Sequence, residues 1–182
     1  MPRRRLNVFA PIGLAAVMLA AGALAASAHP RVPQRDHIFA DEAAGANLGE
    51  ISEARLALAK TNEADVDRFA HRMIHDHGMA NAQLKKIAEA QNIKLPTVPP
   101  ANGLKQAHRL QKLEGAAFIR AYIRDQIADH QKVIAMFQRE SRTGRDYQLK
   151  NFASDTLPIL RTHLRLARAL KAKEPAIATT GR

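Results

Sequence analysis

The sequence predicts an all-α protein, a four-helix bundle standing behind a cleavable leader, and three observations predict it. Beyond residue 35, apolar residues recur at spacings of three and four, with no run of strict alternation that would mark a strand. Short turn signals at Thr61-Asn62 and Ser141–Gly144, and the proline-rich break Leu95–Pro100, divide that pattern into long segments. No cysteine occurs, so no disulfide can substitute for a packed core.

The N-terminus has the grammar of a signal peptide. Arg3, Arg4 and Arg5 form a positive start, an uncharged alanine-rich run follows from Val8 to Ala26, and Ala26-Ser27-Ala28 is a small-x-small cleavage box. An uncleaved anchor is the alternative, since the apolar run approaches the roughly 20 residues that span a bilayer. Weakly apolar alanine dominates the run, which favours cleavage. The expected organisation is a signal peptide over 1–28, a linker over 29–35, the bundle domain over 36–172 and a disordered tail over 173–182. It places the mature protein in the periplasm or cell envelope, with no transmembrane segment left after cleavage.

The helices follow in order. The first spans about 36–60, with Ala44, Leu48, Ile51 and Leu58 on one stripe. Asn62 is placed to cap the second, which runs to about residue 92 with Val66, Phe69, Ala70, Met73, His77, Ala80, Asn81, Leu84, Ile87 and Ala88 inward. A short helix over 103–114 stops at Gly115. The third long helix takes 116–140, with Ile119, Ile123, His130, Val133, Ile134 and Phe137 on its apolar face. Thr143 and Asp146 suggest a capping pair for the fourth, which reaches about Lys171 with Phe152, Ala153, Thr156, Leu160, His163, Leu164, Ala167 and Leu170 inward. Pro158 removes a backbone donor from it and predicts a kink. The first and last pairs are joined by tight turns, but about 23 residues separate the second long helix from the third. That connection, with its short extra helix, is long enough to recross a bundle of roughly 40 Å at 1.5 Å per residue. The expected connectivity is therefore ferritin-like, with one long crossover between the second and third long helices.

Several motifs together carry a family resemblance. They are Gly45-x-x-x-x-Glu50-Ile51, Val66-x-x-Phe69-Ala70-x-x-Met73-Ile74-x-Asp76-His77-x-x-x-Asn81-x-x-Leu84, and Leu113-x-Gly115-Ala-Ala-Phe118-x-x-x-Tyr122. His130 and Thr156-Leu157-Pro158-x-Leu160-x-x-His163-Leu164 complete the set. Over nearly all of 36–172 they resemble an uncharacterised bacterial domain-of-unknown-function family of exported, ferritin-like helical proteins, often labelled outer-membrane proteins. Ile119 departs from the pattern, where the family leads one to expect an acid. The resemblance implies the fold and export; it implies no activity.

Eight histidines are many for 182 residues, and His77, His130 and His163 fall on apolar stripes where a ring must find partners. A ferritin-type di-iron centre needs Glu-x-x-His on two helices, and that motif is absent from the sequence. Counting along parallel second and third long helices puts His77 and His130 level, with Glu50 near the same height and Asp155 the nearest acid on the fourth. Glu50, His77 and His130 are thus the candidate metal ligands, for a divalent transition metal if any; core histidines hydrogen-bonded to neighbours are the plainer alternative. The same count from a turn centred near Arg142 sets His163 level with Tyr122, as a structural pair within a polar core that includes Asn81. His71 and His75 form an i, i+4 pair on the outer face, a solvated pair or a weak surface chelate.

No nucleophile elbow, phosphate loop, dinucleotide fingerprint or zinc-protease motif is present, so no standard enzyme class is indicated. The formal charge of +11 includes the three leader arginines. With 4% aromatic residues and no Trp, the chain lacks the stacking platforms of a single-strand binder, and no nucleic-acid partner is expected. The reading is a non-enzymatic cell-envelope bundle with a structural, protective or binding role, plausibly under stress. A metal-binding or metal-buffering bundle is the first alternative; a basic protein docking on anionic envelope components is the second. The mature chain is expected to begin at His29; intact-mass measurement of protein from the envelope fraction checks this, and a species that retains residues 1–28 refutes cleavage.

Overall fold

The structure is a computed structural model that describes residues 32–180. The leader, its cleavage site and the first residues of the linker lie outside the described residues. Within them the protein is all-helical, with α1 (Gln34–Lys60), α2 (Ala64–Ala90), α3 (Ala101–Gln111), α4 (Gly115–Thr143) and α5 (Tyr147–Thr180), and no strand.

The long helices are held by two apolar clusters, one at each end. One joins Ala54 and Ala57 of α1 to Val66, Phe69, Ala70 and Met73 of α2, Phe118, Tyr122 and Ile123 of α4, and Ala167 and Leu170 of α5. The other joins Phe39, Ala40, Ala43 and Ala44 to Leu84 and Ala88, Phe137, and Leu149, Phe152 and Leu157. The beginnings of α2 and α4 therefore share one end with the finishes of α1 and α5. That makes α2 and α4 parallel, and the 91–114 segment carries the chain back along the molecule between them.

The inner face of α1 differs from the expected one. Leu48, Ile51 and Leu58 are only half-buried, and the buried line runs through Ala40, Ala43, Ala44, Asn47, Glu50, Ala54 and Ala57. Periodicity read from apolar residues assumes that polar side chains face water; α1 buries an amide and three carboxyls, Asn47, Asp36, Glu50 and Glu53, so that assumption fails there.

Local chemistry sets the helix ends. At the end of α2, Asn92 adopts a left-handed φ of 56° and the Ile93 N–H donates to the Ala88 carbonyl at 2.8 Å, a Schellman closure. Gly115, at φ 52°, opens α4 in a conformation that favours glycine. Asn62 does not cap α2; the helix starts at Ala64, and the Thr61 hydroxyl accepts the Glu63 N–H at 3.1 Å in the turn. At the next hairpin α4 runs on to Thr143, whose hydroxyl donates back to the Arg139 carbonyl, leaving Asp146 as the cap that accepts the Leu149 N–H at 2.9 Å. Helix α5 continues through Pro158; Pro158 and Ser154 are both exposed, so the carbonyl freed by proline faces water. Its helix also extends to Thr180, where the sequence predicts a disordered tail from 173; adding residues to a formed helix costs little compared with nucleating one.

Asp36, 1% exposed, ties the start of α1 to the α4–α5 turn by accepting the backbone N–H groups of Arg145 and Asp146. Asp36→Ala strands those donors, and urea denaturation is expected to show a loss of about 2 kcal/mol; a loss below 0.5 kcal/mol would show that the contact contributes little.

Candidate metal centre

Between the two apolar clusters lies a polar layer. Asn47, Glu50 and Glu53 come from α1, His77 from α2, Gln126 and His130 from α4, and His163 from α5, and all are buried. Each follows from helical spacing: Asn47, Glu50 and Ala54 lie on one face of α1, as do Tyr122, Gln126 and His130 on α4.

The histidines converge. The His77 and His130 ring centres are 5.6 Å apart, His77 and His163 5.2 Å, and His130 and His163 5.3 Å. One ring nitrogen from each lies within 4.8 Å of the others. The outer nitrogens are all committed. His77 Nδ1–H donates to Asn47 Oδ1 at 2.9 Å, with the Asn47 amide oriented as in the structure. His130 Nδ1–H donates to the Gln126 carbonyl at 2.8 Å, and His163 Nε2–H to Asp76 Oδ2 at 2.9 Å. In neutral rings the remaining nitrogens carry lone pairs. His130 Nε2 and His163 Nδ1 face each other at 3.3 Å, and His77 Nε2 is buried with no hydrogen-bond partner among the described residues.

Electrostatics keep the rings neutral. Burial pushes His77 well below its ordinary value, with the neighbouring histidines adding to the effect, and brings His130 down to about 4. His163 is also lowered by burial, opposed by Asp76. Burial pushes the Asp76 carboxyl up, but hydrogen bonds from His75 and His163 together with Arg72 outweigh it and hold it below its usual value. An ionised Asp76 therefore orients His163. On the α1 side the acids are shifted the other way. Burial, then the Glu53 charge, drives Glu50 well above its ordinary value; burial raises Glu53 to about 7.

The expected set is partly realised. His77 and His130 meet as predicted. Glu50 reaches the same layer, but its Oε2 accepts from Gln126 Nε2 at 2.7 Å and its Oε1 lies 3.7 Å from His130 Nδ1, the nitrogen already bound to a carbonyl. The third ring of the cluster belongs to His163 instead. It does not pair with Tyr122: α4 continues to Thr143 and α5 begins at Tyr147, so the turn centre lies near Arg145 and the level partner of His163 moves from Tyr122 to about Ile127, within a turn of His130. Tyr122, wholly buried, stacks on Phe118 at 6.0 Å, and its hydroxyl has no hydrogen-bond partner among the described residues. Asn81 is half-buried, with Oδ1 also unpartnered among them. Asp155, His71 and His75 are exposed. Sequence reasoning missed Asn47, Glu53 and Asp76. Asp76 points away from His77 on their shared helix and reaches His163 on another; the spacing of three that sets Asn47 and Glu53 on either side of Glu50 offered a signal for those two.

The arrangement defines a helical-bundle protein with a buried three-histidine cluster whose donor atoms stand close enough to hold a metal ion. The chain belongs to the family described as a domain of unknown function, DUF4142, whose family model matches residues 21–170. No curated protein and no solved structure matches it.

Glu53 supplies a pH test. Its carboxyl is raised from 4.5 to about 7, so the folded chain holds a proton that the unfolded chain releases above about pH 4.5. That contribution to stability is full at low pH and is lost as pH rises through 7. Glu53→Gln is expected to be more stable than wild type at pH 8 by about 3 kcal/mol and equal to it near pH 4, read by urea denaturation; the same difference at both pH values would refute the shift.

Proposed function

We propose that this chain is an exported, non-enzymatic envelope protein that holds a divalent transition-metal ion on His77, His130 and His163. The observation that carries the reading is the fixed tautomer of each ring: three outer N–H groups are bound to protein acceptors, and three lone pairs are left turned to one another in a buried space. Two facing lone pairs at 3.3 Å repel, and a cation between them reverses the sign of that interaction. Two nitrogens each about 2.1 Å from a tetrahedral ion lie roughly 3.4 Å apart, close to the His130–His163 separation of 3.3 Å, and the His77 nitrogen lies within 4.8 Å of both. Outer partners of this kind orient metal-binding imidazoles and raise their basicity.

Three neutral imidazoles without a thiolate suit zinc, copper, nickel or ferrous iron rather than magnesium or calcium. The parallel α2 and α4, with the crossover between them, support a ferritin-like connectivity around this centre. The ligand set differs from the carboxylate-rich di-metal type. Export and the envelope location rest on Arg3–Arg5, the apolar run and Ala26-Ser27-Ala28.

The test uses protein purified without a histidine tag. Elemental analysis and calorimetric titration with Zn2+ are expected to give one ion per chain, and His130→Ala or His163→Ala should remove it. Unchanged binding in the triple histidine variant would overturn the assignment. Asp76→Asn, which leaves all three ligands in place, is expected to weaken affinity 10–100-fold by loosening His163; an unaltered Kd would show that Asp76 does not support the centre.

A further inference from the structure

The three imidazoles are sealed from solvent, with His77 3%, His130 1% and His163 0% exposed. An ion that binds them has to pass through the protein. A cavity of about 740 Å³ lies between the middle of α1, the 96–100 connection, the start of α3 and the second half of α4, and Glu50 and Glu53 line it. It ends one side chain short of the histidines, since Glu50 Oε1 is 3.7 Å from a nitrogen of His130.

The inner wall is built from oxygen donors. Glu50 and Glu53 are 5% and 4% exposed, and among the described residues neither has a Lys or Arg at salt-bridge distance. They share one donor, Gln126 Nε2, at 2.7 and 3.3 Å. Gln126 is itself 0% exposed, and its amide oxygen has no hydrogen-bond partner among the described residues. Two carboxyls attract a divalent cation, yet hold a nitrogen-preferring ion less firmly than three imidazoles do. Asp41, Glu42 and Asp129 on the same cavity, set against Lys132 and Arg139, leave an excess of acids there in a chain whose formal net charge is +11. Glycine keeps the space open: a Cβ built at Gly49 meets nothing within 4 Å, whereas one at Gly45 comes within 3.3 Å of Pro100. A glycine inside a helix costs about 0.5–1 kcal/mol against alanine, and at Gly49 no close neighbour requires it.

We propose that this cavity is the path by which a divalent transition-metal ion reaches the histidines, with Glu50 and Glu53 as a transient station on the way. The proposal rests on the reading of the histidines as a metal centre. The ion trades oxygen ligands for nitrogen ligands as it moves inward, and no bond within the protein is made or broken.

The experiment follows uptake of Co2+ by the untagged chain in a stopped-flow instrument, through the visible absorption that cobalt gains on nitrogen coordination. Gly49→Phe, which fills the cavity, is expected to slow loading at least tenfold while still reaching one ion per chain. Gly78→Phe, placed on α2 where a Cβ also meets nothing within 4 Å and away from the cavity, should load at the wild-type rate. At pH 8, where the Glu53 carboxyl is ionised, Glu53→Gln keeps the shape of the wall, removes a charge and should slow loading severalfold, so the test survives if the phenylalanine variant does not fold. Wild-type rates in Gly49→Phe or Glu53→Gln, or equal slowing in Gly78→Phe, overturn the path. Absence of the cobalt absorption in wild-type protein overturns the metal centre and the path together, whereas normal wild-type loading with unslowed variants overturns the path alone.

Discussion

The structure turns on a solvation problem: three imidazoles and two carboxyls sit buried in the middle of a helical core. Burying a polar group unpaired costs on the order of 1–3 kcal/mol, so each outer ring nitrogen is matched to an acceptor. Those acceptors come from different helices: Asn47 from α1, the Gln126 carbonyl from α4 itself, and Asp76 from α2. Once they are in place, each neutral ring has one tautomer, and its remaining lone pair has one direction. The convergence of three lone pairs is thus a consequence of how the neighbouring groups are satisfied.

That layer divides the core. Apolar side chains gather at both ends, with Phe39, Phe137 and Phe152 clustered at one and Phe69, Phe118 and Tyr122 at the other. Aromatic pairs at ring distances of 5.0–6.3 Å pin the helices on either side of the polar layer. Alanines on the inner face of α1 let that helix approach closely, which brings Glu50 and Glu53 up to Gln126 on α4. The ends provide the burial that holds the helices together, and the polar layer lies between them.

Charge is sorted across the layer as well. On one side an ionised Asp76 faces His163; on the other, burial favours the protonated forms of Glu50 and Glu53. A cation entering from the α1 side meets oxygen donors first and nitrogen donors behind them, an order that follows from which helix carries which residue.

Much of this was legible in the residues themselves. The long helices, the tight hairpins and the recrossing segment follow from where apolar periodicity stops and from the length of the 91–114 connection. His77 and His130 could be set level because parallel helices of known start allow residues to be counted at a fixed rise. The partner of His163 could not: a turn shifted by three residues moves its level by six along the facing helix, and sequence-based boundaries are no finer than that. Nor could the rest of the inner face of α1, where Asn47 and Glu53 look like surface residues until the His77 ring and the Gln126 amide meet them. Sequence alone determined the elements and their order, because helix formation is local. The tertiary structure decided which polar groups meet, because a buried polar residue is placed by partners on other helices and carries no periodic signal of its own.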